Sequence, residues 1–590
     1  MATANQNKKM DLTELADELL EQIFCCRLLT FKDILNLSLV CRRLYDVTRS
    51  NELWKIKLSQ RWPDWSATLD EVQYLQAIQF RYHVDLVLKN MLENIAKYTY
   101  TLDGIPNRML NRLDSNLVDD NYVNMALDCL QCHTQQSPLT GDLNMKYHAE
   151  KVYRYVYHYK LKYQLMKLLV SEEKSIYSLE EGATIISQWC NPEVKIELSE
   201  ITKTLNDIAE SVKKILPSRS QSQPNGYHYV TEVLKSLNKI LYDEYLFEGN
   251  SSSYYNISNS YIHQVLRTKK GIPLTLSILY IAIGRRLGLQ IFGVNFPGHF
   301  LVKVNADKNG QTSEIYVDAF NRGEILNQGE CVAKFLHNFA DPPIDRLFQV
   351  ADERHIFIRM IANIINILRK PTNHDSRNMD ILQSMLELML LLSPHDDGHK
   401  LLLSRIYLHR RINLTEVIKH LQEMSSSERG LPMETLDVLL KHAEAKMKEN
   451  RTFKAKYRSD EENSNVKYRV GMVMKHKLYH YYFVIFGWDA CCMMDVAWQQ
   501  QMGVPNLVDK DKQPYYNVLA HDGSTRYAAQ ENVLPISTGR PVQHQEVGKH
   551  FKSFNGYHYI ATPMLAEQYP EDQPIPSEQL PTESFVETCE

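Results

Sequence analysis

Apolar positions recur at helical spacing through most of the chain and change to strand-like alternation in two regions. Near the start, between Leu15 and Trp54, they fall into short groups. These are Leu15, Leu19, Leu20, Ile23 and Phe24; then Ile34, Leu35 and Leu37; then Val40, Cys41 and Leu44, closed by Leu53 and Trp54. Spacings of three and four predict short helices. Thr30 with Asp33 reads as a capping box for the second group, and Asn51 as a cap before the Leu-Trp pair. So much apolar surface exceeds what about forty residues bury by themselves. The cover has to be either the following part of the chain or another polypeptide.

Residues 61–170 continue the helical period. In YHAEKVYRYVYHYKLKYQLMKLL the tyrosines recur at three and four, which reads as packing within a rigid spacer. Between 171 and 345 the pattern turns mixed. From Lys269 to Leu289, KKGIPLTLSILYIAIGRRLGL places Pro273 in a first helical turn and Gly288 past the end, so the helix between them is buried on most sides. Arg285 and Arg286 suit the negative end of that helix. PGHFLVKV and EIYVDAF, joined through a DKNG turn, alternate as two antiparallel strands, the second ending at Asp318.

Residues 346–448 return to helical spacing in pairs of apolar runs, the charged stretch 449–465 reads as a linker, and 466–565 shows short β-rich runs with a hairpin at Asp522-Gly523. A small β-barrel is expected there. The last stretch, 566–590, carries prolines and acids without Lys or Arg from Gln568 on and is expected to be disordered. The fold class is thus multidomain α+β, with the helical N-terminal segment taken as 11–60.

Composition narrows the function. The chain has 590 residues, enough for several domains, and a formal net charge of -4, which supplies no bulk attraction to nucleic acid or an acidic membrane. The most apolar runs, Ile272 to Ile283 and Met385 to Leu392, are too short to span a bilayer. MATANQNKKM has no signal-peptide character, and ten scattered cysteines suit a reducing compartment, so a cytoplasmic or nuclear location is expected. Cys129, Cys132 and His133 have the spacing of covalent haem attachment but lie in a helical pattern, ALDCLQCHT, and zinc would need a second ligand pair nearby. No metal or cofactor is expected.

The N-terminal string resembles the F-box, whose pattern runs Leu-Pro-x-Glu-Ile-Leu, Ile-Phe, an Asp-Leu-Leu turn, Ser-x-Val-Cys-Arg and a final Leu-Trp. Leu15, Glu18, Leu19, Leu20, Ile23, Phe24, Asp33, Ser38, Val40, Cys41, Arg42, Leu53 and Trp54 match, while Ala16 replaces the proline. The resemblance implies docking on a Skp-type adaptor carried by a cullin scaffold, with Leu15, Leu19, Leu20, Ile23, Phe24, Leu37, Val40, Cys41, Leu53 and Trp54 as the adaptor-binding residues. The chain is then the client receptor of a ubiquitin ligase, holding client proteins with its later domains.

A central helix followed by strands bearing His and Asp is the layout of papain-like and transglutaminase-like folds, where a cysteine opens the helix and a His-Asp pair serves as base. YLFEGN, ISNSYI, KKGIPLTLSILY, RRLGL, PGHFLV and VDAFNRG resemble the bacterial SirB-type transglutaminase-like proteins, and 346–448 resembles their tetratricopeptide-like helical tail. At the nucleophile position stands Pro273, which has nothing to ionise. His299 and Asp318 remain, as a structural pair or, alternatively, as part of a hydrolase using Thr275 or Ser277; Cys331 matches no nucleophile position. RVGMVMKHKLYHYYFVIFGWD and YYNVLAHDGSTRYAAQENV resemble the bacterial heat-shock protein Q, or hemimethylated-DNA-binding, domain. Between Val466 and Leu534, however, seven Lys or Arg face six Asp or Glu, and phosphate binding normally shows a clear basic excess.

Overall fold

A computed structural model describes residues 12–583 apart from 67–72, 99–104, 115–116, 118, 136–140, 172–174, 217–224, 337–343, 371–375, 427–432 and 449–453. Position 11, the first part of the predicted linker and the last seven residues of the predicted disordered tail lie outside the described residues.

Four helices open the chain: Asp17–Phe24, Phe31–Ser38, Arg42–Val47 and Asn51–Arg61. The capping box forms as the sequence predicts, Thr30 and Asp33 each taking the other's backbone N–H. The cap before Leu53 is Ser50, whose hydroxyl accepts from the Leu53 N–H, and not Asn51, whose side chain instead accepts the Tyr74 N–H across the core. Leu20, Phe24, Ile34, Leu44, Leu53, Trp54 and Leu58 pack with Trp62, Tyr74 and Ile78 from the next segment, so the chain itself covers part of the apolar excess. Lys57 is buried beneath them and donates to the Cys26 and Leu29 carbonyls, both at 2.7 Å, which ties the first turn region to the fourth helix.

Helices Tyr74–Tyr98, Asp120–Thr134 and Leu143–Val170 build the spacer. Arg81 is its rivet: buried between the Trp62 and Trp65 rings, it bonds the Met125 carbonyl at 2.8 Å and Asp128 at 2.6 Å. A guanidinium that fills a desolvated site and satisfies several donors fixes relative orientation because any tilt strands a buried charge.

The central unit is built around helix Pro273–Arg286, with proline at its first position and nearly every side chain buried. Two short strands, β1 (Glu248–Gly249) and β2 (Lys270–Gly271), precede it. It packs on an antiparallel sheet of β3 (Gln290–Val294), β4 (Leu301–Lys308), β5 (Gln311–Asp318), β6 (Glu324–Leu326) and β7 (Val350–Ala351), in the order β6-β5-β4-β3-β7. The predicted hairpin turn is Asn309-Gly310, both at positive φ, the conformation that a tight two-residue turn between twisted strands requires. Both faces of the sheet are covered: Val302 and Val304 join the helix side, while Leu301 joins Val294, Phe296, Tyr316 and Cys331 on the other.

Helices Glu353–Leu368, Ser376–Leu392, Asp397–Arg410, Leu414–Ser425 and Met433–Lys448 follow as successive packed pairs, as the tail pattern predicts. They are not a separate body, because one apolar core runs from Leu161 through the central helix to Ala443. Gly182 shows how close the union is: a Cβ there would lie 2.0 Å from the Phe357 ring. Arg285 and Arg286 do more than suit a helix terminus. Arg286 forms a buried pair with Glu180 at 2.7 Å, and Arg285 approaches Glu353 at 3.6 Å, joining central helix, helix Ser178–Cys190 and tail.

The C-terminal domain departs from three expectations. Strands β8 (Val473–His476), β9 (Tyr482–Asp489), β10 (Tyr515–Ala520), β11 (Thr525–Ala529) and β12 (Val533–Pro535) form an antiparallel sheet in the order β11-β10-β9-β8-β12. Its outer strands do not pair with each other, so among the described residues the sheet is open and no barrel closes. A second hairpin, β13 (Phe551–Phe554) with β14 (Tyr559–Ala561), packs into the same core. The expected disordered tail is folded from 566 to 583. Tyr569 and Ile575 are core, and the buried Asp572 carboxylate accepts the Val470 N–H at 2.7 Å and the Trp488 indole N–H at 2.9 Å. The described part of the linker is likewise part of this domain: Lys456 bonds Asp489 at 2.6 Å, and Ser459 bonds Glu571. Polar composition predicts disorder here, but the Asp572 carboxylate is a buried hydrogen-bond partner and apolar side chains between the acids join the core.

Candidate functional site

Two places on the chain carry the chemistry expected from its residues. The first is the surface of the N-terminal helices. Leu19 and Ile23, four residues apart, share one stripe of helix Asp17–Phe24 and stand 48% and 39% exposed, whereas Leu20 and Phe24 on the neighbouring stripe are fully buried. Val40 is 69% exposed; Leu15, Leu37 and Cys41 are half-buried. Leu20, Phe24, Leu53 and Trp54 therefore leave the adaptor-binding set: they form the internal core, with the Trp54 indole N–H bonded to the Thr48 carbonyl at 2.6 Å. Periodicity missed Leu28 and Leu39, which are 89% and 83% exposed in the turns after the first two helices. Their signal was an apolar residue placed in a turn, where burial within the chain is not expected. Arg43 bonds Asp17 at 2.9 Å and so holds the first and third helices that frame this surface.

The second place is the end of the central sheet. Asp318 closes β5, and His299 sits in the turn before β4, so the hairpin register brings them side by side. Nε2 of His299 lies 2.8 Å from Asp318 Oδ1, which also accepts the Phe320 and Asn321 N–H groups, while Lys334 Nζ reaches Oδ2 at 3.2 Å. Burial alone would raise the Asp318 carboxyl; the hydrogen bond and charge of His299, with Lys334, outweigh it and hold the group below the usual range. An ionised carboxylate only accepts, so Nε2 carries the proton and Nδ1 is the basic nitrogen when the ring is neutral. Phe335 stacks on the imidazole at 4.6 Å, and Arg359 of the tail donates to the His299 carbonyl at 2.7 Å.

Helix Pro273–Arg286 contains no cysteine. Pro273 occupies its first position. Ser277 is buried, with its hydroxyl turned to the Phe300 carbonyl at 3.4 Å; Thr275 is buried as well. Cys331 lies on the far face of the sheet, where burial pushes its thiol up to about 12, away from the thiolate.

Because the folded state lowers the Asp318 pKa, the group stabilises the fold above about pH 4, its ordinary value, and that contribution disappears as pH falls through the folded value. Lys334→Met removes one of the charges responsible. The acid limb of the unfolding curve is expected to move to higher pH, with stability at pH 7 changed by no more than about 1 kcal/mol because Lys334 is partly solvated. Circular dichroism between pH 2 and 7 measures this, and an unshifted limb would remove Lys334 from the account.

Other candidates are packing. Cys129 is buried in helix Asp120–Thr134 and burial lowers the pKa of His133; among the described residues, no cluster of three or more His, Cys, Asp or Glu is placed to hold a metal. No described helix is long and apolar enough to cross a membrane.

Comparison with known proteins agrees with this layout. The F-box-like family model matches residues 15–57, the transglutaminase-like superfamily model 199–362, and the model of the hemimethylated DNA-binding protein YccV like family 466–558. No solved structure matches the chain. A UPF0162 protein of Xylella fastidiosa is 31% identical over 147 residues, 24% of this chain and 51% of its own. F-box only protein 21 of Pongo abelii is 33% identical, and that of Homo sapiens 32%, each alignment covering 95% of this chain and 92% of the relative. With all three domains in one order and that identity from end to end, the chain belongs to the F-box only protein 21 family.

Proposed function

We propose that the chain is the client-recognition subunit of a Skp-cullin-F-box ubiquitin ligase, working in the cytoplasm or nucleus. The observation that carries this reading is the uncovered apolar run Leu19, Ile23, Leu28, Leu39 and Val40 on a segment of F-box-like sequence whose own core is already complete. A contiguous segment that keeps large apolar residues in water after folding is the mark of a protein interface. The adaptor covers that run, the cullin scaffold joins through the adaptor, and the rigid spacer holds the later domains at a set distance so that a bound client meets the transferring enzyme. The transglutaminase-like domain then acts as a binding scaffold, with Pro273 where an ionisable thiol would stand and the available hydroxyls buried. Among the described residues every cysteine is free, which fits a reducing compartment. The near-balance of charge over Val466 to Leu534 supports a protein partner for the C-terminal sheet in preference to DNA.

Mass spectrometry of proteins retained by the full chain and by a Leu19→Asp, Ile23→Asp chain tests the proposal. Adaptor and cullin are expected in the first set alone and clients in both; a full chain that retains no adaptor overturns it. One observation favours a hydrolase instead, the preassembled His299-Asp318 pair. That rival requires a peptide-cleaving activity which His299→Ala removes, and a wild-type chain inert towards a broad peptide library eliminates it.

A further inference from the structure

The open sheet of the C-terminal domain has two outer strands, and the chain treats them differently. β12 is closed to any further strand. The Lys477 N–H bonds the Asn532 carbonyl at 2.8 Å, and antiparallel bonding alternates along a ladder, so Leu534 faces β8 while Val533 and Pro535 turn outward. The Val533 N–H is taken by the Gln530 carbonyl and its own carbonyl by the Tyr468 hydroxyl at 3.3 Å. Pro535 has no N–H to offer. A short strand ending in proline is a usual way of keeping an edge from pairing.

β11 carries none of these devices. Two bonds frame its pairing with β10: the Ala520 N–H to the Ser524 carbonyl at one end and the Gln530 N–H to the Pro514 carbonyl at the other, both at 2.9 Å. With the register running from Tyr515 opposite Ala529 to Leu519 opposite Thr525, Arg526 and Ala528 bond β10. Thr525 and Tyr527 then direct their N–H and C=O groups away from the sheet, and among the described residues no backbone or side chain bonds them. Thr525 is exposed and Tyr527 half-buried, while Ala529 is buried with Val504 and Leu507, so the free edge runs from Thr525 to Ala528. Arg526, the one charge on the strand, does not guard it. Its guanidinium lies over the Tyr481 ring at 4.1 Å and bonds Ser524 and Asp522. Just past the strand, Val508 stands 85% exposed, its N–H on the Glu531 carboxylate at 3.3 Å.

Outward donors and acceptors on alternate residues match an extended backbone, which repeats the same groups at the same spacing. Four residues of edge are about 13 Å long. That is short for a pairing of two copies through this edge, since a stable interface buries about 1,200 Å² or more. It is enough for a peptide that must be held and later released.

We propose that β11 is a client-binding edge: an extended client segment adds to the sheet as a further strand, its backbone paired with Thr525 and Tyr527 and an apolar side chain resting on Val508. The proposal rests on the receptor reading given above and names the form in which a client is held. It is tested by fluorescence polarisation of a labelled peptide of alternating Val and Thr flanked by Lys, against the full chain. The control is the same peptide N-methylated at alternate residues, which keeps every side chain and removes the pairing N–H groups. The unmethylated peptide is expected to bind at least about tenfold more tightly. Thr525→Pro removes an outward N–H and crowds the edge without costing a bond inside the sheet, and it should weaken binding about fivefold or more at an unchanged melting temperature. Val508→Asp, at an exposed position, should weaken it about threefold or more. Hydrogen exchange at the Thr525 and Tyr527 amides is expected to slow about tenfold or more when the peptide is bound. If Thr525→Pro unfolds, the methylated peptide and the exchange measurement decide. Absence of binding, equal binding of the two peptides, or unchanged exchange at both amides overturns the proposal. So does a dimer in sedimentation that Thr525→Pro dissociates, which assigns the edge to a second copy of the chain. Adaptor capture measured on the same samples separates the two ideas: a chain that binds the peptide but not the adaptor refutes the ligase reading alone, and the reverse refutes the edge alone.

Discussion

Leu19→Asp with Ile23→Asp is expected to weaken capture of a Skp-type adaptor by at least about a hundredfold, roughly 2.7 kcal/mol, while leaving the melting curve of the chain in place. Both side chains stand in water in the free chain, so the folded state loses little when they become polar. In the complex each would bring a carboxylate into an apolar interface, where an unpaired charge costs several kcal/mol. Leu28→Asp or Leu39→Asp should weaken capture in the same direction, since these residues are more exposed still. Leu20→Asp is the internal contrast. Leu20 is fully buried against Phe24 and Trp54, and a charge there should unfold the N-terminal helices and abolish capture for a different reason. Titration calorimetry with purified adaptor, read beside circular dichroism, tells the two apart. Unchanged affinity in the double variant would remove this face as the docking surface.

Ending the chain after residue 565 should cost the C-terminal domain about 5–10 kcal/mol, comparable with the whole stability of a small domain. Tyr569 and Ile575 leave its core, at roughly 2 kcal/mol each. The Trp488 indole and the Val470 amide both lose Asp572, leaving two buried donors unsatisfied at about 1–3 kcal/mol each. Lys456 also loses its backbone contact with Gln568, and Ser459 its contact with Glu571. The measurement is the unfolding transition of the domain followed by tryptophan fluorescence, since Trp488 reports on that core. A truncated chain with an unaltered transition would mean that the last residues are carried passively.

Much of the candidate machinery is legible in the sequence, and the legible parts share a cause. The Thr30-Asp33 box and the Asn309-Gly310 and Asp522-Gly523 turns depend on residues three or four apart. Helix Pro273–Arg286 announces its burial because every side is apolar. His299 and Asp318 were found as separate residues from strand alternation, yet their 2.8 Å contact depends on the β4-β5 register and on a turn that Arg359 of the tail holds from outside.

What stayed hidden depends on partners distant in sequence. The open sheet could not be told from a barrel, because alternation predicts strands but not whether outer edges meet. The charge cluster on Asp380 was invisible, since Lys151, Arg154, Asp380 and Arg410 come from three helices more than two hundred residues apart at the extremes. By itself the sequence determined the helices, turns and domain order of this protein, along with an apolar surplus at its start, because each follows from local spacing and composition. Only the tertiary structure decided that Leu20 turns inward while Leu19 faces water, that an acidic tail closes a core, and that three cations share one carboxylate. A helical repeat leaves the choice between neighbouring stripes open, and the value of a buried charge is set by what folding brings against it.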